Sequence, residues 1–119
     1  MIPIQLSDAF GIDLVKANVQ AAMGEKPDFI DKPIKSLPGC YVHYVLHSYE
    51  AGIFKGIEID ESISKNVYRQ VIYKHDGDPV EVFDGAGKAL GIIFLHFDTL
   101  VEMDKFCKSY DSLIKIKLQ

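Results

Sequence analysis

The stretch that decides the fold is Ala89-Leu-Gly-Ile-Ile-Phe-Leu-His-Phe97. It is apolar at nearly every position, so neither face of a strand built from it suits water. A run this short, rich in branched and aromatic residues, reads as a strand covered on both sides, central to its sheet. Outward from it, the two-residue period recurs over Cys40–Ser48, Ile53–Ile59, Asn66–Lys74, Val80–Phe83 and Leu113–Leu118. Asp76-Gly-Asp78 and Asp84-Gly-Ala-Gly87 punctuate these runs as turns. Five to six antiparallel strands in a meander are therefore expected. Thr99 and Glu102 have the spacing of a capping box. Behind them Leu100, Met103, Phe106 and Tyr110 form the buried side of a short helix that precedes the last strand.

The N-terminal part has the helical period instead. Ile12, Val15, Val19 and Met23 recur three and four residues apart, and Leu14, Ala17 and Ala21 widen the stripe. One helix is expected from Ser7 to Gly24, more than half buried, with Ser7 or Asp8 capping its start and Gly24 at its exit. Pro27, Pro33 and Pro38 then make residues 25–39 an extended connector. The class is α+β. The chain reads as one domain over residues 1–119: helix 7–24, connector 25–39 and a β-rich region over 40–119. Ile92, Phe94, Leu95, Phe97, Val15, Val19, Met103 and Phe106 are expected to share one core.

Composition bounds the function. The 119 residues are 48% hydrophobic and 25% charged, with net charge −4, mean hydropathy +0.06 and pI near 5.5. That balance has no basic stripe for nucleic acid. It contains no apolar run of the ~18 residues a membrane span needs. Cys40 and Cys107 stand far apart and form no C-x-x-C pair, so they read as small buried hydrophobes. With no leader and no disulfide framework visible, the cytoplasm is the expected location.

Few residues suggest chemistry. His43 and His47 make an H-x-x-x-H in which Tyr44 replaces the glutamate of a zincin. On a strand they share a face about 13 Å apart, too far for one metal, and a place in a substrate cleft suits them better. Gly85-Ala-Gly-Lys88 lacks both the four-residue gap and the helix start of a phosphate loop, so it reads as a turn. Asp60–Glu61 and Asp76–Asp78 read as solvated loop acids.

The segment Ser7-Asp-Ala-Phe-Gly-Ile-Asp-Leu-Val-Lys-Ala-Asn-Val-Gln-Ala-Ala-Met-Gly-Glu25 is more specific than its period. It resembles the "G-[IV]-D-L-V … A-x-G-E" helix of ATP-grasp enzymes, including ligases like biotin carboxylase and carbamoyl-phosphate synthase. The Gly-led strand Gly39–Leu46, Gly77–Val80, Lys88–Phe94 and Thr99–Met103 resemble the closing β-rich region of amino-acid-ligase-like members. In that family the nucleotide-binding lysines and the metal-binding Glu and Asn lie upstream of this helix, and Ile2–Leu6 looks like the remnant of a preceding strand or loop. The substrate-stabilising arginine of biotin carboxylase matches a position at or near Val45, which points to another carboxylate–amine ligase.

The resemblance thus implies a C-terminal, non-nucleotide-binding portion of an ATP-dependent ligase. It would complete the fold and part of the substrate side of the active site, with ATP and Mg²⁺ bound elsewhere in the intact enzyme. Ser7, His43 and His47 are the candidate substrate-binding residues. No catalytic, cofactor-binding or metal-binding residue is assigned. Partners are then the remainder of the ligase or a second copy, docked on the apolar first helix, unless Phe29, Ile30 and Ile34 fold back to cover it. The alternative is a free-standing, non-catalytic module that binds a small ligand or self-associates. An independent small enzyme using His43 and His47 is a third reading.

Overall fold

A computed structural model of the chain describes residues 2–119. Helices α1 (Ile2–Phe10) and α2 (Leu14–Ala22) lead to strands β1 (Cys40–Leu46) and β2 (Gly52–Ile59). Helix α3 (Glu61–Ser64), strands β3 (Val67–Ile72), β4 (Pro79–Val80) and β5 (Gly91–Phe97), helix α4 (Leu100–Leu113) and strand β6 (Ile114–Leu118) complete the order. The α+β class stands, with helix first and a helix before the last strand.

All pairings are antiparallel, in two three-stranded sheets ordered β1-β5-β3 and β4-β2-β6. The strands do not form the expected meander, because no two strands adjacent in sequence pair with each other. The reason lies in β5. Its two apolar faces need a neighbour on each edge and cover above and below, so β1 and β3 close on it from both sides. β2 and β6 build the cover as a second sheet. Ile93, Leu95 and Phe97 point towards this cover and join Leu46, Phe54, Leu90, Phe106 and Ile114 in the main core.

Ile92 and Phe94 are equally buried but belong to the opposite face of β5. The single core expected from sequence is therefore divided by the sheet. Val15 and Val19 are not part of it, at 60% and 54% exposed. The expected helix from Ser7 to Gly24 is broken at Gly11-Ile12-Asp13, where Gly11 takes φ +69°, a conformation that suits glycine. Asp13, rather than Ser7 or Asp8, caps α2 by accepting from the Lys16 amide at 2.9 Å. Ile2–Leu6 belong to a helix and not to a strand or loop; Pro3 sits in its first turn, where a missing amide proton costs little. With α1 laid against β1, α2 loses its place on the sheet and buries only Ala17.

The remaining strands lie where their period places them, within a few residues. Thr99 caps α4 as expected, its hydroxyl accepting from the Glu102 amide at 3.2 Å. Among the described residues no helix is long and apolar enough to cross a membrane.

Candidate functional site

The outer face of the β1-β5-β3 sheet collects most of the unspent polar chemistry. Alternation along β1 turns Tyr41 and His43 to this face, and along β5 it turns Phe94 and His96. On β3 a bulge between Val67 and Arg69 interrupts the register. The irregularity lets two consecutive residues, Tyr68 and Arg69, both reach Phe94. Their ring centroid and guanidinium carbon lie 6.1 Å and 5.6 Å from its ring. Tyr41 lies 4.8 Å from the His96 ring and edge-on to Tyr68 at 6.2 Å. The Tyr68 hydroxyl donates to the Asp8 carboxylate, tying α1 to β3. Burial, then the hydrogen-bonded carboxylate, pushes the Tyr68 hydroxyl pKa well up, so it remains a donor.

Asp8, Tyr41, Lys65, Asn66, Tyr68 and His96 enclose a depression of about 420 Å³. His96 Nε2 lies 3.1 Å from the Pro38 carbonyl oxygen. The Asn66 amide donates to the His96 carbonyl at 2.9 Å. Beside this depression His43 packs edge-on against Phe94, with ring centroids 4.4 Å apart. Its Nε2 is buried with no hydrogen-bond partner among the described residues. Burial lowers its pKa and the Asp8 charge only partly opposes this, so the ring is neutral near pH 7. The face thus offers a carboxylate, an ammonium and a phenol beside an aromatic floor, with the His43 nitrogen buried next to them. That set suits a small polar ligand carrying both a donor and an acceptor.

The other candidates fall elsewhere. β1 ends at Leu46, so strand alternation no longer governs His47. Its Nδ1 turns back to the Val45 carbonyl at 2.8 Å. The ring packs on Tyr44, Tyr49 and Phe83, beside a second depression of about 420 Å³ that includes Asp111 and Lys115. Tyr44 contacts Phe106 and Tyr110 of α4, on the core side of the sheet. Burial pushes the Tyr44 pKa up to about 12. His43 and His47 therefore do not share a face. Ser7 is exposed on α1 next to Asp8, and its carbonyl accepts from Gly11 at 2.9 Å. Sequence reasoning missed Tyr68, His96 and the role of Asp8. The Asp8–Tyr68 bond spans sixty residues, and no spacing rule reaches that far.

No family model matches the chain, and no curated protein matches it. Solved structures do. The fold is similar to phosphoribosylglycinamide synthetase from Anaerococcus prevotii, at 18% identity and TM-score 0.68, over 98% of this chain and 30% of that one. It is also similar to L-amino acid ligase from Bacillus licheniformis, at 17% identity and TM-score 0.72, over 95% of this chain and 28% of that one. Both are ATP-grasp ligases. The chain has the fold of one part of an ATP-grasp ligase. It spans less than a third of either neighbour's length.

No group of three His, Cys, Asp or Glu side chains among the described residues is placed to hold an ion. Residues 86–88 form a single 3-10 turn rather than a phosphate-cradling helix start. The Lys88 ammonium is held by Glu81 at 3.1 Å and Asp84 at 3.3 Å.

Proposed function

We propose that this chain is the C-terminal, non-nucleotide-binding portion of an ATP-dependent carboxylate–amine ligase of the ATP-grasp type. It completes the fold, and its outer sheet face around Asp8, Tyr68 and His43 borders the substrate side. Ser7 stands at the edge of that face. His47 lies apart from it and serves the packing of the β1 exit. ATP and Mg²⁺ belong to the remainder of the enzyme, in the cytoplasm.

The observation that carries this reading is the coverage: nearly all of this chain matches under a third of each ligase. Shape supports it. The radius of gyration is 17.2 Å and the extents are 52 × 34 × 21 Å, whereas a self-contained compact domain of this length has about 13.5 Å. The surface supports it too. Val15 and Val19 of α2 and Met23 at its C-cap are exposed. So are Ile30 and Ile34 of the connector, at 53% and 58%, and they leave the helix uncovered. An apolar face of this kind marks a partner.

A second reading, self-association through α2, is favoured by the same face. Sedimentation equilibrium of the isolated chain separates the two, because a symmetric dimer doubles the 13.4 kDa mass. The test of the ligase reading is calorimetry with Mg-ATP, followed by ADP release from the chain joined to the coding sequence upstream of it. The 119-residue chain is expected to bind no Mg-ATP. The joined product is expected to release ADP only when a carboxylate and an amine are both supplied. Micromolar, magnesium-dependent binding by the isolated chain overturns the assignment.

A further inference from the structure

A third cleft, of about 300 Å³, lies between α3 and α4. Along α4 it is lined by Glu102, Lys105, Phe106, Ser109 and Leu113. Their spacing of three, four and seven residues puts them on one stripe of the helix. Its floor is apolar: the buried core residues Ile63, Phe97 and Phe106 line it.

The mouth is charged. Lys65 and Lys105 line it from opposite sides, one just past α3 and the other on α4. Neither ammonium has a carboxylate within ion-pair distance among the described residues, a state shared with Lys32, Lys35, Lys74 and Lys115 but not with Lys16, Lys26, Lys55, Lys88, Lys108 and Lys117. Glu102 is the single acid lining the cleft. Two free cations against one anion, above an aromatic floor, select a ligand that is apolar at one end and negative at the other. The volume is at the small end of ligand sites, which suits one ring or one branched chain with a single headgroup.

We propose that the α3–α4 cleft is a binding site for a small carboxylate with an apolar body, such as an aromatic or branched-chain acid. The body rests on Phe97 and Phe106 and the carboxylate lies between Lys65 and Lys105. The site is built entirely from this chain; it shares Lys65 and Asn66 with the outer-face depression, but Lys105, Phe106 and Ser109 line this cleft and not that one, so variants at Lys105 and Ser109 test it separately from the ligase reading.

The probes are phenylacetate, benzyl alcohol and phenethylamine, titrated into the ¹⁵N-labelled chain and followed by amide chemical shifts. Phenylacetate is expected to saturate with Kd on the order of 1 mM, moving Asn66, Lys105 and Ser109. Benzyl alcohol is expected to bind more weakly, and phenethylamine weakest. Lys105→Glu is expected to weaken phenylacetate about tenfold, and Ser109→Trp to abolish saturation by filling the cleft. Both positions are exposed on α4, and unchanged shifts on β1 report that the fold is intact. If either variant fails to fold, Lys65→Glu, outside α4, supplies the same comparison. The proposal is overturned if phenylacetate shifts do not saturate, if all three probes bind alike, or if the folded variants bind as the parent does.

Discussion

Replacing Phe94 by alanine tests whether the outer face of the first sheet is a packed core in its own right. Phe94 is fully buried between the His43 ring at 4.4 Å, the Tyr68 ring at 6.1 Å and the Arg69 guanidinium at 5.6 Å. Removing a buried phenyl forfeits about 1.5–3 kcal/mol of transfer free energy. The edge-on aromatic contacts add about 0.5–1.5 kcal/mol, and the guanidinium contact about 0.5–1 kcal/mol. The total, about 2.5–5.5 kcal/mol, brackets the roughly 3–5 kcal/mol typical of Phe→Ala in cores. Urea unfolding at 25 °C reads it directly. With a slope of about 1.5 kcal/mol per molar, the midpoint should fall by about 2 M or more, and a marginal parent will not remain folded. A midpoint within about 0.3 M of the parent, at the same slope, would refute the reasoning. It would mean that α1 and β3 collapse over the gap, or that this face is not packed in solution.

Other substitutions probe separate joints. Gly39 has φ +94° and a β-carbon there would collide with the His96 ring at Nε2 and stand 2.9 Å from the Phe97 carbonyl oxygen. Gly39→Ala should therefore cost about 2–4 kcal/mol through backbone strain and loss of the His96–Pro38 contact, seen as a lower urea midpoint. Thr99→Ala removes the α4 cap and should cost about 1 kcal/mol by the same assay. His43 has a folded pKa below its unfolded value of about 6.5. The stability gained by keeping it neutral is therefore complete above that pH and is lost as pH falls through 6.5 towards the lower folded value. His43→Phe should flatten this part of the profile, so that between pH 7.5 and 5.5 the parent loses more stability than the variant. An equal loss in both contradicts the burial of His43.

Where the fold was legible, local chemistry and tertiary demand agreed. Ala89–Phe97 announces a central strand because both of its faces are apolar, and Thr99 with Glu102 announces α4 because a cap is a local hydrogen bond. The break between α1 and α2 was hidden because Ile12, Val15 and Val19 stay in phase across Gly11–Asp13, so the period survives an interruption of the backbone. The four residues of α3 are too few to show a period, and only Asp60, accepting from the Ser62 amide at 2.9 Å, marks their start. The partition of six strands into two sheets depends on which faces need cover, a long-range question that no single run answers. The outer-face site was illegible for the same reason. Asp8 reads locally as a helix cap and Tyr68 as an ordinary strand residue until the bulge on β3 brings them together.

The native mass of the protein in extracts of its source cells tests the central claim most directly. An antibody raised against residues 40–119 would follow the protein through gel filtration. This chain's 13.4 kDa divided by its 30% share of a neighbouring ligase gives about 45 kDa for a complete enzyme. The account predicts that all the antigen elutes at or above that mass, with Mg-ATP-dependent ADP release in the same fractions. Antigen eluting as a free 13.4 kDa chain or as its simple dimer, apart from any such activity, contradicts it.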